Sequence, residues 1–194
     1  MRFDYAPGAT PLDPDSIAGL IPPLSTQAEL NEFEEVNILS AIQWATRSRI
    51  LRKDFPNVSS LKRLHREMFK LTWKWAGDFR RVDTNIGIDW RYIQPDLHNL
   101  CEDTRYWVEH GSYPWDELGV RFHHRLVSIH PFPNGNGRHA RLATDILLRQ
   151  YRQTPFTWGS QSLVADGTVR RTYIAALRRA DIGDLAPLLA FVRT

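Results

Sequence analysis

The run His130-Pro131-Phe132-Pro133-Asn134-Gly135-Asn136-Gly137-Arg138-His139-Ala140-Arg141 brings an imidazole, a glycine-rich turn and two arginines together in one short stretch. Leu118, Phe122, Leu126 and Ile129 recur at helical spacing before it, and Leu142, Ala143, Ile146 and Leu147 do so after it. The run therefore reads as a turn between two amphipathic helices, with its last residues opening the second. The first amides of a helix lack partners within it, and glycine lets an anion approach them closely. Gly135 and Gly137 supply that freedom. Arg138 and Arg141 lie three apart, so both guanidinium groups can reach successive phosphates of one ligand. His130 ends the preceding helix, where an imidazole titrating near neutrality can take a proton from a hydroxyl. Together these residues predict a phosphate-handling site at a helix N-terminus, with His130 as its base.

Other chemistries fit less well. Asn-Gly-Asn-Gly alone would be an ordinary turn, but not one flanked by His and two Arg. Neither Walker A nor dinucleotide-fingerprint spacing occurs, and the acidic ligands of an EF-hand are missing. His123, His124 and His130 have no usual zinc spacing, so structural roles are expected for the first two. His65 and His139 are expected to pack or to lie on the surface.

The run from His130 to Arg141 resembles the signature of the Fic (Fido) family, His-Pro-Phe-x-Asp/Glu-Gly-Asn-Gly-Arg-x-x-Arg, departing from it only at Asn134. Leu64-His65-Arg66-Glu67-Met68-Phe69 and Trp73-Lys74-Trp75-Ala76-Gly77-Asp78-Phe79-Arg80 resemble the helix and turn that precede the family's flap. Tyr173 to Leu177 and Ala180 to Asp184 resemble its closing helix and turn. Asn31-Glu32, Asn37-Ile38, the double His and Phe156-Thr157-Trp158-Gly159 are most similar to the subgroup called mobile mystery protein B, associated with mobile genetic elements and a small helix-turn-helix partner.

The resemblance implies a Mg-dependent protein adenylyltransferase that moves AMP from ATP to a Ser, Thr or Tyr hydroxyl of a target protein. It makes His130 the general base and Phe132 the anchor of the loop. Gly135, Asn136 and Gly137 become the anion hole, Arg138 and Arg141 the ligands of the outer phosphates, and Asn134 the metal ligand. Asn offers Mg a neutral carbonyl oxygen in place of a full charge. Alternatives are another nucleotidyl or phosphoryl transfer on the same fold, or a non-catalytic nucleotide-binding module of a mobile-element system. The family's inhibitory motif, Ser/Thr-x-x-x-Glu-Gly/Asn, has a partial match at Ser25-x-x-x-Glu29, but Leu30 breaks it, and capping-box spacing from Thr26 explains Glu29. Regulation by a separate protein is expected instead.

The rest of the chain fits one helical domain over residues 25–194, preceded by a proline-rich arm over 1–24. Helices are expected over 26–52, 59–75, 95–110, 115–129, 136–151, 168–180 and 184–192. Between them, Val82, Ile86, Ile88, Trp90, Tyr92 and Ile93, with Asn85 and Gly87 as turn formers, predict a short β-hairpin over 79–93. In the family this is the flap on which a target segment docks. The 194 residues, 42% hydrophobic, suffice for a substantial core. A net charge of +3 with dispersed basic residues gives no basis for direct nucleic-acid binding, despite a pI near 9.2. The lone cysteine, Cys101, allows no internal disulfide. No apolar run approaches the ~20 residues of a membrane span, and the N-terminus has no signal-peptide pattern, so no membrane association and a cytoplasmic location are expected.

Overall fold

Capping chemistry sets the helix boundaries in the computed structural model, which describes residues 11–48, 51, 54–159 and 167–194. After a short α1 (Pro14–Ala18), α2 (Gln27–Arg47) opens on a capping box. Glu29 N–H donates to Thr26 Oγ1 at 3.2 Å, and Glu29 Oε2 accepts from Thr26 N–H at 2.9 Å and Ser25 N–H at 2.8 Å. Those backbone donors hold the Glu29 carboxyl below its ordinary pKa. Glu29 thus caps its own helix. The helical stretch expected up to Arg52 lies in part outside the described residues.

A second capping box, between Asn57 and Ser60, opens α3 (Val58–Phe69), which stops six residues short of the expected end. The residues after it coil into turns because the proline-rich arm docks there. Ile21 N–H donates to Thr72 O, Lys74 N–H to Gly19 O, and Trp75 Nε1–H to Ser16 O, each at 2.9 Å. These bonds tie residues 70–75 to the arm and end the helix. The described part of the arm is therefore packed onto the domain.

The long helices follow: α4 (Ile93–His110), α5 (Trp115–Ile129), α6 (Asn136–Gln150), α7 (Thr168–Asp181) and the short α8 (Ala186–Phe191). Helix α2 packs on α3, α4 on α5, α5 on α6, and α7 on α8. Leu61, Leu64, Met68, Leu97, Leu100, Phe122, Ala140 and Leu147 share one core. Val120, Leu148, Phe156, Trp158, Tyr173 and Leu188 form a second core against α7 and α8. The domain is a helical bundle, and among the described residues no helix is long and apolar enough to cross a membrane.

The expected hairpin is not formed. Residues 79–89 run as an irregular segment into a single 3₁₀ turn, Trp90–Tyr92, and the described residues contain no strand, only an isolated bridge between Leu20 and Trp73. The carbonyls of Val82 and Ile88, which a hairpin would pair across its strands, instead accept from the Arg80 guanidinium. Asp83 takes the Trp90 N–H at 3.1 Å. Side chains have replaced the ladder.

Candidate active site

The turn from α5 to α6 holds the whole signature. Helix α5 ends at His130, which adopts the left-handed conformation, φ 53° and ψ 60°, unusual for a residue with a Cβ. The chain reverses through Pro131 to Asn134, and Gly135, at φ 77°, releases it into α6. A Cβ on Gly135 would lie 2.5 Å from the Phe69 ring, so glycine is required there for space as well as for backbone.

Three clamps hold this loop. Asn136 Oδ1 accepts from Phe132 N–H at 2.9 Å, and its Nδ2 donates to Phe132 O at 2.7 Å. The Asn136 side chain is thereby committed to closing the loop, so of the expected anion-hole residue only the backbone amide remains for a ligand. The buried His65 is the second clamp. It donates from Nε2 to Asn134 O at 3.0 Å, accepts from Gly77 N–H at Nδ1 at 3.0 Å, and stacks on Phe132 at 3.7 Å between ring centroids. Burial, and then the neighbouring His139, hold His65 well below its ordinary pKa. His139 donates to Leu61 O at 3.0 Å and is likewise kept neutral, its pKa lowered by burial to about 4. Both histidines are interior packing residues. The third clamp, Arg80, has no counterpart in the sequence reading beyond its place in a turn motif. Its Nε donates to His130 O at 2.7 Å and its backbone N–H to Pro131 O at 3.0 Å.

His130 is 6% exposed. Its Nδ1 faces Val127 O at 3.3 Å, and because a carbonyl oxygen only accepts, Nδ1 carries the hydrogen and the lone pair belongs to Nε2. Burial lowers its pKa to about 4, so the ring is a neutral acceptor throughout the physiological range.

The two arginines differ sharply. Arg138 Nη1 donates at 2.7 Å to Glu34 Oε2 of α2, while Glu34 Oε1 accepts from Trp73 Nε1–H at 2.7 Å. Glu34 is buried, and nothing in the sequence distinguished it from the other acids of α2. Arg141 has no carboxylate within ion-pair distance among the described residues. Its guanidinium lies over the Tyr173 ring at 5.5 Å, and burial depresses its pKa. A Cβ on Gly137 would lie 3.7 Å from Arg141 Nη1, which places that charge beside the first turn of α6. A half-buried cation next to a helix N-terminus suits an anionic ligand.

Asn134 turns its Oδ1 onto the N–H of Gly135, with Arg138 Nη2 3.5 Å away. An oxygen already facing two donors, one of them a cation, does not fit a magnesium ion. Among the described residues no cluster of three His, Cys, Asp or Glu could hold a metal, and His123 and His124 bond Tyr173 and Asp181 instead. A cavity of about 330 Å³, lined by Ser59, Lys62, Arg66 and Gly77 among others, lies beside α3 and not at His130.

A family model described as the Fic/DOC family matches residues 55–148, taking in the entire run from His130 to Arg141. The chain carries a Fic domain. The Fic domain resembles proteins named protein adenylyltransferase Fic. That of Culex quinquefasciatus is 27% identical over 172 residues, covering 84% of this chain and 32% of the relative. That of Drosophila virilis is 32% identical over 124 residues, covering 60% and 23%. The chain thus spans a third or less of the length of these curated relatives. Among solved structures, Fic-1 (residues 134–508) from C. elegans matches at TM-score 0.68 and 23% identity, over 90% of this chain and 51% of that one. The N-terminal FIC domain of Bep8 from Bartonella sp. 1-1C matches at 0.65 and 18%, over 89% and 88%. At these identities the structures establish the Fic fold.

Proposed function

We propose that this Fic domain transfers the AMP group of ATP to a Ser, Thr or Tyr hydroxyl of a target protein, with His130 as general base. The observation that carries the reading is His130 itself, a neutral imidazole held through Nδ1 to Val127 O at the turn that leads into α6, the helix whose first turn lies beside the Arg141 guanidinium. The target oxygen attacks the α-phosphorus and its proton passes to His130 Nε2. The bond from that phosphorus to the oxygen bridging to the β-phosphate breaks, and pyrophosphate leaves. The amides of Asn136 and Gly137 and the side chains of Arg138 and Arg141 offset the charge that develops on the leaving group, the Gly135 N–H being held by Asn134 Oδ1. Positioning of the hydroxyl by the 79–92 segment supplies the remainder of the acceleration. Because Asn134 does not fit a metal, the positive charge in this mechanism comes from the arginines. The names of the adenylyltransferase relatives support AMP as the transferred group. A target segment would dock on residues 79–92, and a separate helix-turn-helix or inhibitor protein would regulate the domain.

One observation favours a second reading, nucleotide binding without transfer: Arg138 already has an internal partner in Glu34. Mass spectrometry of the protein and a lysate incubated with Mg and ATP separates the two. An added AMP group with wild type but not with His130→Ala supports transfer. ATP binding with no mass addition in either supports the second reading, and an added phosphate indicates a different group transfer.

A further inference from the structure

We propose that Arg80 is a positioning residue for this transfer, joining the seating of the 79–92 segment and the orientation of His130 into one mechanical unit. The kinetic consequence rests on the function proposed above, whereas the coupling is a property of the fold.

The Arg80 side chain is wholly buried, yet its one ion-pair partner among the described residues, Asp83, is exposed and 3.8 Å away. Its guanidinium is satisfied by carbonyl oxygens drawn from two different places. On the catalytic turn, Nε donates to His130 O at 2.7 Å and Nη2 reaches Ile129 O at 3.4 Å. On the segment that would receive the target, Nη1 donates to Val82 O at 2.8 Å and Nη2 to Ile88 O. The acceptors at Ile129 and His130 are end carbonyls of α5, which no helical N–H can reach. Holding the His130 carbonyl fixes the peptide that follows its left-handed φ, and so fixes where the imidazole points.

A second observation makes the same connection without hydrogen bonds. Gly87, exposed and at φ 107°, sits on the imidazole-bearing carbon: a Cβ there would lie 2.7 Å from His130 Cβ and 2.9 Å from Arg80 Nη2. The segment, the arginine and the base are therefore in mutual contact. A target seated on residues 82–88 would press on the same three groups. A lysine cannot replace the arginine, because one ammonium nitrogen cannot span acceptors on both sides of a planar fork.

The test compares wild type with Arg80→Lys and Gly87→Ala in three readouts. These are amide hydrogen exchange over residues 82–88, histidine ¹⁵N NMR of the His130 tautomer, and transfer kinetics with ATP affinity measured separately. In both variants exchange should quicken, the single Nδ1–H tautomer should become a mixture, and kcat should fall by as much as about 100-fold, the cost of a misplaced reacting group. ATP affinity should stay within about 2-fold, since the phosphate-binding groups are untouched. Loosened exchange with an unchanged His130 tautomer and unchanged kcat overturns the proposal. Should Arg80→Lys not fold, Gly87→Ala decides it by the same criteria. If wild type transfers no AMP, the functional reading fails, while the exchange and NMR measurements still decide the coupling.

Discussion

Acid should unfold this domain through its histidines. Four of them, His65, His123, His130 and His139, are buried, and burial is the first cause of the lowered pKa of each, to about 3 for His123 and about 4 for His130 and His139. In the unfolded chain each titrates near 6.5. Their folded values are depressed, so the stability they confer is complete above pH 6.5 and is lost as pH falls from there toward 4. Between pH 7 and 5.5 each unfolded imidazole gains most of a proton that its folded counterpart refuses, worth a little more than ~1 kcal/mol apiece and about 5 kcal/mol in all. Asp145 works the other way. Burial raises its pKa to about 6, so the folded state takes up a proton in this window and recovers about 1 kcal/mol. The net loss of about 4 kcal/mol corresponds to a fall in Tm of roughly 8–16 °C for a domain of this size. Calorimetric melts at half-unit steps from pH 7 to 5.5 measure it directly. His130→Gln should remove about a quarter of the histidine contribution. A Tm that stays level across the window, or a pH dependence untouched by His130→Gln, would refute the argument that these imidazoles are neutral because they are buried.

Other perturbations bear on the site itself. Glu34→Gln keeps an acceptor for Trp73 but leaves Arg138 without its counter-charge, so urea stability should drop by about 3 kcal/mol while ATP binding tightens, two effects of opposite sign in denaturation and calorimetric titration. Asn136→Ala strands the buried N–H and C=O of Phe132, and a loss of about 2–4 kcal/mol is expected in the same urea assay, together with weakened nucleotide binding. Asn134→Asp should make ATP affinity depend on Mg far more than in wild type, read by titration with and without a chelator; equal Mg dependence in the two proteins would contradict the poor fit of Asn134 to a cation. Gly135→Ala drives a methyl into the Phe69 ring at an unfavourable φ and should abolish ATP binding.

Local chemistry was legible where it depends on neighbours in sequence. The box at Thr26 and Glu29, the glycine at the head of α6 and the long helices α4, α5 and α6 follow from contacts a few residues apart, and their bounds lie within two residues of those expected. The phosphate-site reading had the same basis, since His130, the glycines and both arginines lie within one turn and its helix. Two expectations gave way to distant groups. Helix α3 ends at Phe69 because the arm supplies partners to residues 70–75, and the hairpin is lost because Arg80 takes carbonyls its strands would have paired.

The sequence by itself determined that an imidazole and two guanidinium groups would gather around a helix N-terminus in a Fic domain, because helical periodicity and turn glycines act over one or two turns of chain. Which arginine is paired with a carboxylate, what fixes the tautomer-bearing turn, and where the Asn134 oxygen points were decided only by tertiary structure. Glu34 meets Arg138 across 104 positions and Arg80 meets His130 across 50. Pairings at that separation are set by how the helices pack, and no local pattern encodes them.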